Sequence, residues 1–260
     1  MPGPADRTRG GVALVTGGGR RVGRAISESL AASGLAVAVH YGRSREAAEA
    51  TAASLREAHG VPTWTFQADL AAPDEIGGLF ERVRDVCGRL DVLVNSAASF
   101  DHAPLAAIDA PRWDRAQAVN LRAPHLCIRE ARELLAASAA AGGAAAVVNI
   151  ADLSGVVPWR GYAHHGASKA GLLHLTRCAA LELAPAIRVN AVVPGAILPP
   201  AGEPADSPAW RAAGERLPLR RTGDPADVGA AVVFLATASF VTGEVLFVDG
   251  GEHLHGSNKR

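Results

Sequence analysis

The feature that most constrains this sequence is a repeated alternation of short apolar runs with longer segments of helical periodicity. The apolar runs are predicted to be strands over Gly11–Thr16, Ala36–His40, Pro62–Gln67, Asp91–Val94, Ala144–Ile150, Ile187–Val193 and Val245–Val248. They do not alternate apolar with polar residues, which is typical of parallel strands covered by helices on both faces. The sequence therefore predicts an α/β fold with a doubly wound parallel sheet of about seven strands.

The segments between these runs have the periodicity of amphipathic helices. Helices are predicted over Arg21–Ser33, Ser44–His59, Pro73–Cys87, Pro111–Ser138, Tyr162–Leu183, Ala209–Arg216 and Pro225–Ala236. No repeat or linker divides the sequence, so we expect a single domain over residues 1–260. Residues 198–219 are rich in proline, glycine and glutamate, and we expect them to form a loop or lid over the substrate.

Composition and charge exclude several classes of protein. The 260 residues include 26 basic and 26 acidic side chains, and this balance indicates neither a nucleic-acid partner nor a membrane partner. We find no signal segment in the first residues and no apolar run of membrane-spanning length. Cys87, Cys127 and Cys178 fit neither a disulfide framework nor a zinc site. We expect a cytoplasmic protein with reduced thiols and no metal.

A glycine-rich loop, Thr16–Gly23, follows the first predicted strand and opens the first predicted helix. Glycines permit a tight turn and a close approach to a pyrophosphate, whose charge is favoured at a helix N-terminus. A Rossmann-like dinucleotide site is therefore predicted, the alternative being an ordinary strand-to-helix turn. The loop residues expected at the cofactor are Thr16, Gly17, Arg20, Arg21 and Val22.

The end of the second strand predicts which nicotinamide cofactor binds. A carboxylate there would bind the ribose 2′-hydroxyl of NAD, but the sequence from His40 to Ser44 contains no acid. Arg43 and Ser44 can donate to a 2′-phosphate, and Arg21 is expected to reach the same region. We therefore predict NADPH, with His40 also at the site. The alternative is that Arg43 is a solvated surface residue.

Two further strand ends carry polar side chains. Asp69, followed by Leu70, can accept a hydrogen bond from the adenine amine. Asn95 can tie neighbouring backbone segments together near the cofactor. The alternative for both Asp69 and Asn95 is a purely structural role in a turn.

Taken together, these motifs resemble the short-chain dehydrogenase/reductase family along nearly the whole chain. The resemblance is carried by Thr16–Gly23, Asp69, Asn95–Ala98, Asn120, Asn149–Lys169, Pro194-Gly195, Val241–Gly243 and Val248–Gly251. It implies an oxidoreductase acting on a small molecule, with Pro194, Gly195 and Lys169 also at the cofactor. It further implies a homotetramer that pairs the helices around Pro111–Ser138 and Tyr162–Leu183.

Within that family, three features are similar to pteridine reductases. Arg21 stands where most members have glycine, the second strand ends in His40–Ser44, and Ala196–Pro200 follows the Pro-Gly pair. Phe100 matches a position where that branch places an aromatic ring against a flat substrate; a core phenylalanine is the alternative.

The catalytic segment departs from the family pattern at two of its three positions. Members have a serine, a tyrosine thirteen positions later and a lysine four positions after that. In this sequence the same three positions are occupied by Asp152, His165 and Lys169. The resemblance implies that Lys169 binds the nicotinamide ribose and that Asp152 does proton work, as in pteridine reductases. Asn120 matches an asparagine that holds a relay water at a helix irregularity.

A histidine in place of tyrosine changes which acid is available. An imidazolium ordinarily has a pKa of about 6.5 and a phenol one of about 10, and Lys169 and the oxidised nicotinamide disfavour another positive charge. A protonated C=N bond needs only a hydride, and an anionic Asp152 would stabilise it.

We therefore predict an NADPH-dependent reductase of a C=N bond in a small, cyclic imine or dihydropterin. The alternatives are a carbonyl reductase that uses His165 as its acid and a catalytically silent or non-redox cofactor-binding protein. Asp152 as a local cap is the structural alternative for that residue.

Tyr162, His165 and Lys169 stand at i, i+3 and i+7, so they share one helix face. We interpret Tyr162 as a neighbour of the site rather than a displaced catalyst, and His164 as an exposed bystander. The residues expected at the substrate are Phe100, Asp152, Trp159, Tyr162 and Trp210.

Overall fold

Seven parallel strands form one sheet in the computed structural model, which describes residues 10–200 and 202–255. The strands are β1 (Val12–Val15), β2 (Ala36–Tyr41), β3 (Thr63–Gln67), β4 (Val92–Asn95), β5 (Ala146–Ile150), β6 (Arg188–Pro194) and β7 (Val245–Val248). Their order is β3-β2-β1-β4-β5-β6-β7, which confirms the predicted single-domain, Rossmann-like fold. The order reverses direction between β1 and β4, where sheets of this kind bind their ligands.

Helices cover both faces of the sheet. They are α1 (Arg21–Ala32), α2 (Arg45–His59), α3 (Pro73–Cys87), α4 (Ala110–Gln117), α5 (Ala123–Ala140), α6 (Ala163–Leu183), α7 (Pro208–Glu215) and α8 (Pro225–Thr237). Short 3₁₀ turns occupy Leu105–Ala107, Leu153–Gly155 and Glu252–His255. One core packs α1, α2 and α8 against the sheet, and the other packs α3, α5 and part of α6. Within the described ranges no helix has both the length and the apolar character needed to cross a membrane.

The inner strands are buried on both faces, whereas the two edge strands are not. Every residue of β1, β2, β4 and β5 is buried, which explains their continuous apolar sequences. All four residues of β7 are half-buried, and Trp64 and Thr65 of β3 are as well. The expectation that every strand is covered on both faces was therefore wrong for the edge strands β3 and β7, which have a neighbouring strand on one side only.

The predicted helix over Pro111–Ser138 is interrupted. A π-helical segment, Ala118–Arg122, separates α4 from α5. Pro124 explains the break, because in a regular α-helix its ring would clash with the carbonyl of Asn120, four residues earlier. The wider turn removes that clash and turns the Asn120 side chain inward, where it is fully buried.

A buried carboxylate joins the amino-terminal ends of the central strands. Asp91, just before β4, is fully buried and accepts hydrogen bonds from the Val12 backbone N–H at 2.7 Å and from Arg89 Nη2 at 2.7 Å. Ser138 Oγ, at the end of α5, donates to the same carboxylate. The backbone of Asp91 also bonds to Val12 and Ala146. One side chain therefore holds β1, β4 and α5 together at the edge opposite the glycine-rich loop.

We expect Asp91→Ala to lower the free energy of unfolding by about 3–5 kcal/mol, because it leaves several buried donors without an acceptor. Ser138→Ala removes one donor and should cost about 1 kcal/mol. The measurement is chemical denaturation followed by far-UV circular dichroism. Arg84→Ala is the control, since its ion pair with Glu133 is exposed and should contribute less than about 0.5 kcal/mol. Equal effects of Asp91→Ala and Arg84→Ala would contradict this role of Asp91.

Candidate active site

The glycine-rich loop lies at the carboxyl end of β1, beside the end of β4. Gly17 has φ +65° and lies against the chain at Ala97, so that a Cβ would lie 3.1 Å from Ala97 Cα. A Cβ on Gly23 would collide with the Gly17 carbonyl. Thr16 Oγ1 accepts from the backbone N–H groups of Ser96 at 2.9 Å and Ala97 at 3.1 Å. The loop is therefore a tight, preformed turn with no room for side chains at Gly17 and Gly23.

The His40 side chain supports this loop from beneath. Its Nδ1 accepts from the Gly17 N–H at 3.1 Å, and its Nε2 donates to the Ala68 carbonyl at 3.0 Å. Burial lowers the pKa of His40 to about 4, so the ring is neutral with its proton on Nε2. Both ring nitrogens bind protein groups, and the residue therefore acts on the cofactor loop through Gly17.

A cavity of about 470 Å³ extends from the loop along the ends of β2 and β3. Its lining includes Gly17, His40, Arg43, Asp69, Leu70, Ala97, Ala98, Arg115 and Val119. Next to it, Arg20 Nη1 donates to Ser44 Oγ at 3.2 Å. The structure thus places the contact between Arg20 and Ser44 beside Arg43, and Arg20 takes the place that the sequence predicts for Arg21.

The Arg21 side chain points toward Pro199 rather than toward Arg43 and Ser44. Its Nη2 donates to the carbonyl of buried Pro199 at 2.9 Å, and its backbone has φ +50°. This conformation favours glycine, the residue that the family pattern has at this position. Arg20 therefore contacts Ser44, while Arg21 ties the loop to residue 199. Val22 is half-buried at the start of α1.

Asp69 lies on the opposite wall of the cavity. Its Oδ1 accepts from the Ala71 N–H at 2.9 Å, and Arg115 Nη1 lies 3.3 Å from its Oδ2. The bond from Ala71 and the guanidinium of Arg115 lower the pKa of Asp69, and the small degree of burial only partly opposes them. The carboxylate is therefore an ionised acceptor in the cavity.

Asn95 forms part of a buried chain of side-chain hydrogen bonds. Its Nδ2 donates to Asn149 Oδ1 at 2.8 Å, and Asn149 Nδ2 donates to Thr176 Oγ1 at 2.9 Å. The chain links the ends of β4 and β5 to α6. At the end of β6, Pro194 and Gly195 are half-buried, and a side chain on Gly195 would collide with Asp249.

The Asp152 carboxylate stands just beyond β5, at the start of a 3₁₀ turn. Its Oδ1 accepts from the Ser154 N–H at 2.7 Å, so it does cap locally, and its Oδ2 lies 3.6 Å from His165 Nε2. Burial raises the pKa of Asp152, but interactions with His165 and Ser154 lower it by more. An anionic oxygen therefore faces the histidine.

A count of hydrogen bonds locates the proton on the His165 ring. Asn120 Nδ2 has two hydrogens, and its shorter contacts are to the Ser99 carbonyl at 2.9 Å and Ser168 Oγ at 3.0 Å. His165 Nδ1 lies 3.1 Å from the Ser99 carbonyl, which has a second lone pair. Nδ1 therefore carries a hydrogen for the Ser99 carbonyl, and Nε2 faces Asp152 Oδ2. This buried Nε2 has no hydrogen-bond partner among the described residues.

Lys169 completes the segment. Its buried Nζ donates to the Ile150 carbonyl at 2.7 Å. Burial lowers the pKa of this ammonium to about 8, and Asp152 partly opposes the shift. Asp152 and His165 thus lie side by side, and Lys169 follows His165 by one turn of α6.

Aromatic rings form one wall beside His165. Phe100 stacks on Tyr162 with 4.8 Å between centroids and meets the His165 ring edge-on at 4.8 Å. Trp159 packs edge-on against Tyr162 at 6.0 Å. Phe100 is 57% exposed, so it retains an open face. Trp210 is half-buried on α7.

The interpretation of His164 as an exposed bystander was wrong. Its side chain is 1% exposed, and neither ring nitrogen has a hydrogen-bond partner within residues 10–200 and 202–255. It lies on the side of α6 that packs against α4, where Gln117 Nε2 donates to its backbone carbonyl at 3.2 Å.

Sequence reasoning missed three groups at the site. They are Arg115, which contacts Asp69, the Ser99 carbonyl, which binds His165, and His102, whose ring packs on Tyr162 at 5.2 Å. Only the position of Arg115, one turn before the π-helical segment, offered a signal in the sequence. The other two depend on the path of the loop after β4.

Comparisons with known proteins agree with this geometry. A family profile described as Enoyl-(Acyl carrier protein) reductase matches residues 18–253. An uncharacterized oxidoreductase of Mycobacterium tuberculosis is 39% identical over 247 residues, covering 92% of this chain and 91% of that protein. The 3-oxoacyl-(acyl-carrier-protein) reductase FabG of Staphylococcus aureus is 35% identical over 245 residues, covering 93% of this chain and 98% of the relative.

Two solved structures are also similar. A short-chain dehydrogenase of Burkholderia cenocepacia in complex with NADP has a TM-score of 0.85 and 34% identity, covering 94% of this chain and 98% of that one. FolM alternative dihydrofolate reductase 1 of Brucella canis, complexed with NADP, has a TM-score of 0.83 and 33% identity, covering 95% and 96%. On the matching family profile, these relatives and the similar folds, the protein belongs to the short-chain dehydrogenase/reductase family, whose members are oxidoreductases.

Proposed function

We propose that this protein uses NADPH to reduce the C=N bond of a small, cyclic molecule, an imine or a dihydropterin. The observation that carries the proposal is that the Asp152 carboxylate oxygen Oδ2 lies 3.6 Å from His165 Nε2. In the neutral ring with its hydrogen on Nδ1, Nε2 is a second acceptor beside this anionic oxygen. A protonated C=N group has an N–H and a positive charge, which such a pair binds well. A carbonyl oxygen would need a donor there.

The residues of the cavity fit NADPH. The glycine-rich loop leaves no space for Cβ atoms at Gly17 and Gly23, as close approach of a pyrophosphate requires. Arg43, with Arg20 and Ser44 beside it, supplies donors for a 2′-phosphate. The solved relatives named above that contain NADP support the same assignment.

Bound NADPH supplies a hydride to the substrate carbon. Asp152, anionic at neutral pH, stabilises the positive charge of the iminium before the transfer, and His165 accepts from its N–H. The product of hydride addition to an iminium is a neutral amine, so no further proton is needed from the protein. Asn120 and the Ser99 carbonyl hold the imidazole in the required tautomer.

The open face of Phe100 suits a planar ring next to this acceptor pair. Trp159 and Tyr162 support Phe100 from behind, and residues 198–219 with Trp210 would cover the substrate from the side of α7. The FolM relative, described as a dihydrofolate reductase, supports a flat heterocyclic substrate of the pteridine type.

A second candidate is a carbonyl reductase. The FabG relative is a 3-oxoacyl reductase, and an imidazolium at His165 would supply the donor that a carbonyl oxygen needs. Reduction of a C=N bond and reduction of a carbonyl therefore differ in whether His165 Nε2 carries a proton.

We also propose that the protein is a cytoplasmic homotetramer. Cys87, Cys127 and Cys178 are free, and burial raises the pKa of the Cys87 thiol to about 11, which suits a reducing compartment. Leu181 on α6 and Phe240 before β7 are 83% and 103% exposed, and subunit contacts would cover such side chains. Light scattering of the purified protein tests the assembly.

The first test is a substrate panel with NADPH. We expect cyclic imines or dihydropterins to be reduced at least tenfold faster than simple ketones, and the reverse order would overturn the proposal.

Asp152→Asn keeps an oxygen for the Ser154 N–H but removes the charge, so kcat for the C=N substrate should fall about 100-fold or more. Asp85→Asn, exposed on α3, is the matched control and should leave kcat unchanged.

The second test is His165→Tyr. A phenol places an O–H donor where the imidazole presents a lone pair, so ketone turnover should rise relative to imine turnover by about tenfold. Rates with both substrates give the ratio. If the ratio does not move, His165 is not the group that selects the substrate.

The third test uses pH. Lys169 has a lowered pKa of about 8, so it is cationic below that pH and neutral above it. Its charge therefore contributes to NADPH binding below pH 8, and the dissociation constant should be constant below about pH 8 and rise above it. Fluorescence titration of NADPH measures this, and Lys169→Met should bind weakly with a flat profile. A wild-type profile as flat as that of the variant would contradict the assignment.

A further inference from the structure

Arg115 of α4 reaches into the cavity that Asp69 lines, although the two residues are 46 positions apart. It stands one helical turn before Val119, which lines the same cavity. We call the space between Asp69, Leu70, Ala97, Arg115 and Val119 the adenine slot. Small and apolar side chains line it together with Arg115 and Asp69.

The bond between Arg115 and Asp69 is loose. Arg115 Nη1 lies 3.4 Å from Oδ1 and 3.3 Å from Oδ2, whereas a tight charge-assisted bond is about 2.7–2.9 Å long. Both side chains are 45% exposed, and an exposed ion pair contributes little to folding stability. The guanidinium can therefore shift within the slot at small energetic cost.

The Asp69 carboxylate keeps acceptor capacity while Arg115 is bound. A carboxylate offers about four lone-pair sites. Among the described groups, Ala71 N–H uses one at 2.9 Å and Arg115 Nη1 straddles the two oxygens. An exocyclic amine can therefore bind to Asp69 with the guanidinium still beside it. Arginine also stacks well on planar π systems.

We propose that Arg115 is a cofactor-binding residue that stacks on the adenine ring while Asp69 binds the adenine amine. The inference rests on the proposed use of NADPH. It assigns to α4 a direct role in holding the nucleotide end of the cofactor, separate from the 2′-phosphate end at Arg43. Arg115 therefore recognises the base, which NADP and NAD have in common, and contributes nothing to the choice between them.

This division of roles gives a test by calorimetry with two cofactor fragments, 2′,5′-ADP and 5′-ADP. Arg115→Ala should weaken the binding of both fragments by the same factor, about three- to thirtyfold, which is the range of a cation–π contact. Arg43→Ala should weaken 2′,5′-ADP far more than 5′-ADP. Arg84→Ala, which removes an exposed ion pair on α3, should change neither.

A third fragment locates the effect on the base. Reduced nicotinamide mononucleotide lacks adenine, so Arg115→Ala should leave its affinity unchanged. Arg115→Lys keeps the charge without the planar guanidinium and should recover less than half of the lost binding free energy. Full recovery by lysine would show that only charge matters and would overturn the stacking role.

The outcomes separate this inference from the proposed function. If the unaltered protein binds 2′,5′-ADP and Arg115→Ala binds both ADP fragments equally well, the role of Arg115 is refuted and the use of NADPH stands. If the unaltered protein binds no adenine nucleotide, the proposed cofactor fails and the inference fails with it.

Discussion

Burial of the inner strands on both faces determines where polar side chains can stand in this molecule. A polar group in the middle of β1, β4 or β5 would face an apolar helix, so such groups occur at the strand ends. At one edge Asp91 joins the strands, and at the other edge Asn95, Asn149 and Asp152 end them. Because parallel strands end at a common edge, the second set lies next to the glycine-rich loop. The chemistry of the site thus follows from how the sheet is covered.

The local parts of the fold and site could be predicted from sequence. Strand identity follows from continuous apolar runs, and helix spacing places His165 and Lys169 on one face of α6. The place of Asp152 in the same site was implied by the family resemblance, because Asp152 lies outside that helix. Groups that depend on tertiary contacts could not be predicted in this way. Arg21 has a positive φ and turns toward Pro199, and Arg115 meets Asp69 across 46 positions of the chain. The burial of His164 likewise depends on α4, whose end is set by Pro124.

A histidine in place of tyrosine at position 165 changes which hydrogen-bonding group this site presents. A tyrosine always presents an O–H, whereas an imidazole presents either a donor or a lone pair. The choice is made behind the ring, by the Ser99 carbonyl and Asn120, rather than at the face that meets the substrate. In the proposed mechanism, specificity therefore depends on this loop carbonyl as much as on His165.

The neutral imidazole of His40 under the glycine-rich loop has a consequence for acid tolerance. The unfolded chain takes up a proton at this residue near pH 6.5, but the folded chain does so only near pH 4. Stability therefore declines across that interval, by roughly 3 kcal/mol for this one group. Once protonated, Nδ1 can no longer accept from Gly17, and the cradle for the cofactor loses its support while the apolar cores are unaffected. Acid therefore acts on the stability of the fold and on the cofactor loop through the same imidazole.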